Sequence, residues 1–193
     1  VSFTTGTQSE LLYTLTSTVT KNTYTTIAAY TGVAGTNTVC SIPAGWLIGD
    51  NPNPVGRALQ LEAWGTIGNT AAATFANAIN INPTAGTSTG NITCNAAYTP
   101  TASVTAPWML FARMTCTAFL TSTFTLQVNG FVRYESVATG GAPTTSAQES
   151  GFQGTFTGLD PRVQQYVELF GTWSASNAAN TTSVQQMFLW GLN

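Results

Sequence analysis

The chain has no histidine, so it cannot by itself build Ser-His-Asp or Cys-His catalytic arrangements, or any metal site that needs an imidazole. Charge is scarce as well. Asp, Glu, Lys and Arg together make up 6% of its 193 residues, against roughly 25% in an ordinary soluble protein. The five basic residues, Lys21, Arg57, Arg113, Arg133 and Arg162, are scattered and the net charge is −2. No basic stripe can follow phosphates, which argues against nucleic acid as a partner. A Lys/Arg-rich amphipathic segment for an anionic membrane is missing too, and no apolar run approaches the roughly 20 residues of a spanning helix. The opening residues VSFTTGTQSE contain neither the basic n-region nor the apolar h-region of an export signal.

Cysteine is sparse and odd in number. Cys40, Cys94 and Cys116 are widely spaced, with no C-x-x-C pair, so a zinc site is not expected. They read as small buried thiols in strands. The odd count fits assembly in a reducing cytoplasm and also accommodates one disulfide plus a free thiol.

Thr, Ala, Asn, Ser and Gly take the surface positions that Lys and Glu usually hold. A surface of hydroxyls, amides and methyls suggests that other protein covers much of it in the working state; an extracellular domain solvated by Thr and Asn is the alternative. With 43% hydrophobic residues, a chain of this length can bury about 70% of the surface exposed when unfolded. A single domain over 1–193 is therefore expected.

Period-two alternation recurs along the chain, and no helix of ordinary length shows apolar spacing at three and four residues. In 11–19, Leu11, Tyr13, Leu15 and Val19 share one face and threonines the other. In 57–66, Leu59, Leu61 and Ala63 oppose Gln60, Glu62 and Trp64. In 108–120, Trp108, Leu110, Ala112, Met114, Cys116, Ala118 and Leu120 oppose Met109, Phe111, Arg113 and Phe119, a pattern that predicts cover on both sides. In 122–136, Phe124, Leu126, Val128, Val132 and Tyr134 keep one parity through Asn129-Gly130, where a bend or bulge is expected.

Near the C-terminus, Val163, Val167, Leu169 and Trp173 alternate with Gln164, Tyr166, Glu168 and Phe170. Val184, Gln186, Phe188, Trp190 and Leu192 then alternate with Gln185, Met187 and Leu189. Weaker strand signals lie at 24–30, 36–42, 72–82, 90–98 and 150–157. Gly/Pro/Asn clusters such as Pro43-Ala44-Gly45, Asn82-Pro83, Gly140-Gly141-Ala142-Pro143 and Asp160-Pro161 punctuate these runs as turns. The fold class predicted is an all-β, jelly-roll-like antiparallel sandwich of about eight to ten strands. No fixed-period repeat is present, which disfavours propellers and solenoids.

Little here points to catalysis. Glycoside hydrolysis needs only two suitably spaced carboxyl groups, and Glu62, Glu135, Glu149, Glu168, Asp50 and Asp160 are candidates, yet so few acids also serve simply to solvate loops and strand faces. The loop Gly49-Asp50-Asn51-Pro52-Asn53 offers oxygen ligands but lacks the Gly and Glu positions of an EF-hand, and a turn closed by Asx side chains explains it as well. No enzyme activity, cofactor or metal is expected. Trp64, Tyr166 and Phe170 could stack on sugars or lie under a neighbouring subunit.

Three segments carry a family likeness. They are Ser41-Ile-Pro-Ala-Gly-Trp-Leu-Ile-Gly-Asp50 leading into Ala58-Leu-Gln-Leu-Glu-Ala-Trp-Gly-Thr-Ile-Gly-Asn69, then Thr125-Leu-Gln-Val-Asn-Gly130, then Glu168-Leu-Phe-Gly-Thr-Trp-Ser-Ala-Ser-Asn177 running into Asn180-Thr-Thr-Ser-Val-Gln-Gln-Met-Phe-Leu189. Together they resemble a group of tailed-bacteriophage virion proteins, with an insertion, Asn51-Pro-Asn-Pro-Val-Gly56, that departs from the pattern. The resemblance implies a β-sandwich on the outside of a phage particle, as a capsid decoration, head-fibre or tail-knob protein, and it carries over no catalytic residue.

The expectation is a virion structural protein that partners itself, as a homotrimer, and major capsid or other virion proteins. Its candidate subunit interface is Trp64, Phe111, Arg113, Tyr166, Phe170, Met187 and Leu189. The alternative is a carbohydrate- or receptor-binding module of a tail tip or secreted adhesin, taking a host-surface glycan.

Overall fold

Alternation in the sequence becomes antiparallel strand pairing in two facing sheets. The computed structural model describes residues 9–15, 18–22, 28–29, 40–47, 55–69, 73–87, 89–100, 104–120, 122–135, 147–177 and 179–192, and there is no helix among them. The strands are β1 (Ser9–Thr14), β2 (Val19–Asn22), β3 (Ala28–Ala29), β4 (Ser41–Ile42), β5 (Ala58–Asn69), β6 (Phe75–Asn82), β7 (Ile92–Thr93), β8 (Val104–Leu120), β9 (Thr123–Tyr134), β10 (Gln148–Leu159), β11 (Gln165–Trp173) and β12 (Thr181–Leu192). Three of these are two residues long.

The large sheet runs β1-β12-β5-β8-β9-β10, with β2 also on β12, and the small sheet runs β3-β11-β6-β7, with β4 also on β11. The chain passes back and forth between the sheets as it fills these positions. Treating β1/β2 and β3/β4 as interrupted strands, the orders β1-β12-β5-β8 and β3-β11-β6-β7 are those of a jelly roll. The β9–β10 hairpin then widens the large sheet beyond β8.

The core lies between the sheets. Leu59, Leu61 and Ala63 of β5, Leu110, Ala112 and Met114 of β8, and Leu126, Val128 and Val132 of β9 face Phe75, Ile79 and Ile81 of β6 and Val167, Leu169 and Trp173 of β11. The Phe75 and Trp173 rings lie 4.9 Å apart. One polar link crosses this apolar layer. Asn77 Nδ2 donates to the Tyr134 hydroxyl at 2.6 Å, and that hydroxyl donates to Asn95 Oδ1 at 3.1 Å. Asn95 Oδ1 also accepts the Asn77 backbone N–H at 2.7 Å, and Tyr98 stacks on Tyr134 at 4.0 Å. Such a network fixes how the sheets sit together, because any member left unpaired would cost about 1–3 kcal/mol.

Three register shifts correct the expected faces. They fall between Leu11 and Tyr13, between Cys116 and Ala118, and between Val184 and Gln186. Each bulge adds a residue on one strand and so reverses the parity of the residues beyond it. Leu11 is consequently exposed while Leu15 is buried, Leu120 projects into solvent at 71% exposure, and Phe119 packs against the core. In β12, Val184, Met187 and Leu189 point inward together.

Asn129-Gly130, by contrast, is regular strand. Glycine is required there because a Cβ would lie 2.3 Å from the Phe111 carbonyl oxygen and 2.6 Å from the Phe152 ring. Val163 belongs to the turn before β11 rather than to the strand.

Phe170 does point away from the core, as its parity requires, but only 1% of it is exposed because the chain itself covers that side. The Phe170→Ser variant should therefore lose about 3–5 kcal/mol and behave in urea denaturation much like Leu126→Asp, which places a carboxylate in the core. Phe111→Ser, on the open side of β8, should shift stability by only about 1 kcal/mol.

Candidate functional site

The outer side of the large sheet carries a face built from cross-strand rows. Strand alternation sends Gln186, Phe188 and Trp190 of β12 outward after the bulge, beside Gln60, Glu62 and Trp64 of β5. The registers then align three rows across five strands: Trp190, Gln60, Arg113, Asn129 and Gln153; Phe188, Glu62, Phe111, Phe131 and Gly151; and Gln186, Trp64, Met109, Arg133 and Glu149. Leu11 of β1 extends the first row.

Two aromatic groups form within these rows. Trp64 meets Phe188 edge-on at 5.8 Å and Phe188 lies 6.3 Å from Trp190, while Phe111 stacks on Phe131 at 5.8 Å. All five rings are half-buried. Glu62 and Gln60 sit between the groups, with Gln60 Nε2 donating to Glu62 Oε1. A depression of about 310 Å³ is lined by Gln60, Glu62, Trp190 and Leu192. Toward the other end, Arg133 Nε is 2.7 Å from Glu135 Oε1.

The structure brings Trp64, Phe111 and Arg113 together on this face, as their sequence pattern implied. Outer-side cover of β8, also expected, is only partial: Met109 and Phe111 are half-buried and Arg113 is exposed. Tyr166 is half-buried on the small sheet and shares no surface with Trp64. Met187 and Leu189 are fully buried in the core, and Phe170 is buried behind the small sheet, so these three leave the interface. The other side chains that share the outer face with Trp64 and Phe111 are Leu11, Met109, Phe131, Phe188 and Trp190. A signal for the last two does exist in the sequence. Gln185 and Gln186 are consecutive polar residues inside an otherwise alternating strand, which is what a bulge leaves behind.

The candidate acids are dispersed. Asp160 is bound by Arg162, whose guanidinium holds its carboxyl down at about 2. Glu62 lies on the large-sheet face, while Glu135 and Glu149 both sit beside Arg133. Asp50 and the loop 49–53 lie outside the described residues. Glu168 is fully buried on the outer side of the small sheet, opposite Asn80. The turn after β6 folds over it: the Gly86 N–H donates to both carboxylate oxygens at 2.8 and 3.0 Å, and Asn80 Nδ2 donates to the Thr87 carbonyl. Burial raises the Glu168 pKa and the Gly86 hydrogen bond only partly opposes this. The three cysteines are free, buried thiols, each with its pKa raised by desolvation.

Fold and face together define a jelly-roll sandwich in which the turn after β6 covers Glu168 and Asn80 on the outer side of the small sheet, while the outer side of the large sheet carries half-buried rings. No family model matches the chain, and no curated protein matches it. Among solved structures it is similar to the CBM2 module of Lactobacillus casei BL23 phage J-1 evolved Dit, with 97% of each chain covered, 11% identity and a TM-score of 0.34. No residue of the face is assigned from that likeness.

Glu168 gives this region a pH signature. Its pKa is higher folded than unfolded, so between the ordinary carboxylate range and the raised value the folded chain binds the extra proton, and stability must fall as pH rises through that window. Glu168→Gln should raise the thermal midpoint at neutral pH and leave it nearly unchanged below about pH 4. Thermal melts across pH check both the sign and the window.

Proposed function

We propose that this chain is a non-catalytic structural module on the outside of a bacteriophage particle, and that the outer face of its large sheet is seated against another virion protein. The observation that carries this reading is the set of aligned rows. Five aromatic side chains, plus Leu11 and Met109, lie on one continuous sheet surface in a chain with 6% charged residues. Half-buried rings on this scale still offer on the order of a few hundred Å² of apolar surface. At about 25 cal/mol per Å² their burial would supply several kcal/mol. That offsets only part of the roughly 4–15 kcal/mol lost on association, so the partner must also engage the polar rim of Gln60, Arg113, Asn129 and Gln153. The virion setting is supported by the sequence likeness of the 41–69, 125–130 and 168–189 segments.

A second reading is favoured by one feature of the same face. The depression of Gln60, Glu62, Trp190 and Leu192 combines an indole with a carboxylate and an amide, a set that stacks on and hydrogen-bonds a sugar ring. In this reading the module binds a host-surface glycan.

Hydroxyl-radical footprinting separates the two. If the face is a protein seat, Trp64, Phe111, Phe131, Phe188 and Trp190 are oxidised in the free chain and protected at least about fivefold in purified particles, and a glycan array stays blank. Equal oxidation in both states sinks the seat. Array binding abolished by Trp190→Ala, with an unchanged melting midpoint, establishes the glycan reading instead.

A further inference from the structure

The four sheet edges are not alike. In the small sheet, β3 and β4 on one side and β7 on the other are two residues each. In the large sheet, the β1/β2 edge is short, carries a register shift at Leu11/Tyr13 and is interrupted before β2. Short, broken edges of this kind resist strand addition.

The other large-sheet edge, β10, is long, and its register shift falls only at its end, between Phe156 and Leu159. It spans twelve residues and pairs with β9 residue for residue from Gln148 to Phe156 without irregularity. It contains no proline or basic residue, and Glu149 is its one charge. Among the described residues its far side makes no backbone hydrogen bond.

Gly151 adds a separate observation. Its φ is not positive, and a Cβ there would meet nothing closer than the Gly130 carbonyl oxygen at 3.9 Å. Among the described residues nothing requires glycine at this place, although glycine weakens a strand interior by about 0.5–1 kcal/mol. Such a residue marks close approach by another backbone or side chain. A notch of about 450 Å³ opens at this point, lined by Asn129, Gly130, Gly151, Phe152 and Gln153.

We propose that β10 is a self-association edge, where a second copy of this chain adds its own β10 antiparallel about a two-fold axis perpendicular to the large sheet. That axis keeps the inner sides of both copies on the same side, so residues of equal parity must face each other. With Phe152 or Gln153 at the axis, Glu149 of each copy lies opposite Thr155 or Thr157 of the other and never opposite its twin. A net charge of −2 per copy puts little repulsion in the way, and Gly151 makes room for the Gln153 or Thr155 side chain opposite it. The small-sheet edge adds a second layer, because Ile92 of β7 packs where a Gly154 Cβ would lie and Thr93 and Ala96 are exposed beside it. An isologous contact of this kind closes with two copies, and it replaces the three-fold arrangement suggested by composition.

The test is sedimentation velocity on the full chain over about 1–50 µM, comparing the natural sequence with the double variant Gly151→Lys, Gln153→Lys. Both positions are outward, so far-UV circular dichroism and the melting midpoint should hold. The natural chain should sediment as a dimer with slowly exchanging β10 amides. The double variant should dissociate at least about a hundredfold more readily, because lysines then oppose each other or lie beside the axis, and its β10 amides should exchange fast. A natural chain that is monomeric throughout, a trimer as the smallest species, or a double variant as tightly dimeric as the natural chain overturns the proposal. Loss of the dimer in Phe111→Ser and Trp190→Ser, with the lysine variant unaffected, also overturns it and leaves the sheet-face reading standing.

Discussion

The bulge in β12 is the constraint on which the open face depends. β12 lies at the centre of the β1/β2–β12–β5 part of the large sheet, so its parity sets that of its neighbours. Before the bulge Val184 points into the core; after it Met187 and Leu189 do. Had alternation run through unbroken, Phe188 and Trp190 would be inside, and two of the largest side chains in the strand would have to fit a layer already filled by Leu59, Leu61 and Leu169. Overpacking on that scale costs more than an unpaired residue in one ladder. The bulge therefore settles both the packing of the core and the aromatic character of the surface.

Most of the architecture was legible because burial on one side of a strand enforces a period of two. The inward sides of β5 and β9 read correctly: Leu59, Leu61, Ala63, Leu126, Val128 and Val132 are all buried where their spacing put them, although the bulge expected at Asn129-Gly130 is absent. The illegible part is whatever period two cannot encode. Bulges at Leu11/Tyr13, Cys116/Ala118 and Val184/Gln186 each invert a pattern partway along a strand. Of the candidate interface, Trp64, Phe111 and Arg113 precede or avoid those inversions and were placed on the right face. Met187 and Leu189 lie beyond one and were not. Phe170 failed for a different reason: its direction was right, but what covers an outward side chain is a tertiary fact that local pattern does not contain.

The two sheets treat their outer sides differently, and the polar groups show why. On the small sheet, Glu168 and Asn80 are buried under the turn that begins at Pro83, held by the Gly86 N–H and the Thr87 carbonyl. A buried carboxylate without a cation is a net cost, offset in part by the two contacts that the Gly86 N–H makes with it. On the large sheet no turn among the described residues folds back in this way, and the outward positions carry rings, amides and a few charges. With the sheets pinned in register by Tyr134, Asn77 and Asn95, these two outer sides are fixed properties of the fold.

Face and edge are geometrically compatible. A two-fold axis perpendicular to the large sheet at β10 leaves the outer sides of both copies pointing the same way, so the paired molecule presents the aromatic rows of two copies on one continuous surface, with Gly151 and Gln153 near its middle. A neighbour seated there would meet each row twice, at a spacing set by the sheet rather than by a flexible linker. Two weak seats joined rigidly act as one strong seat, because the second engagement is intramolecular. This is a physical route by which a surface of modest area per copy can hold a charge-poor module in place.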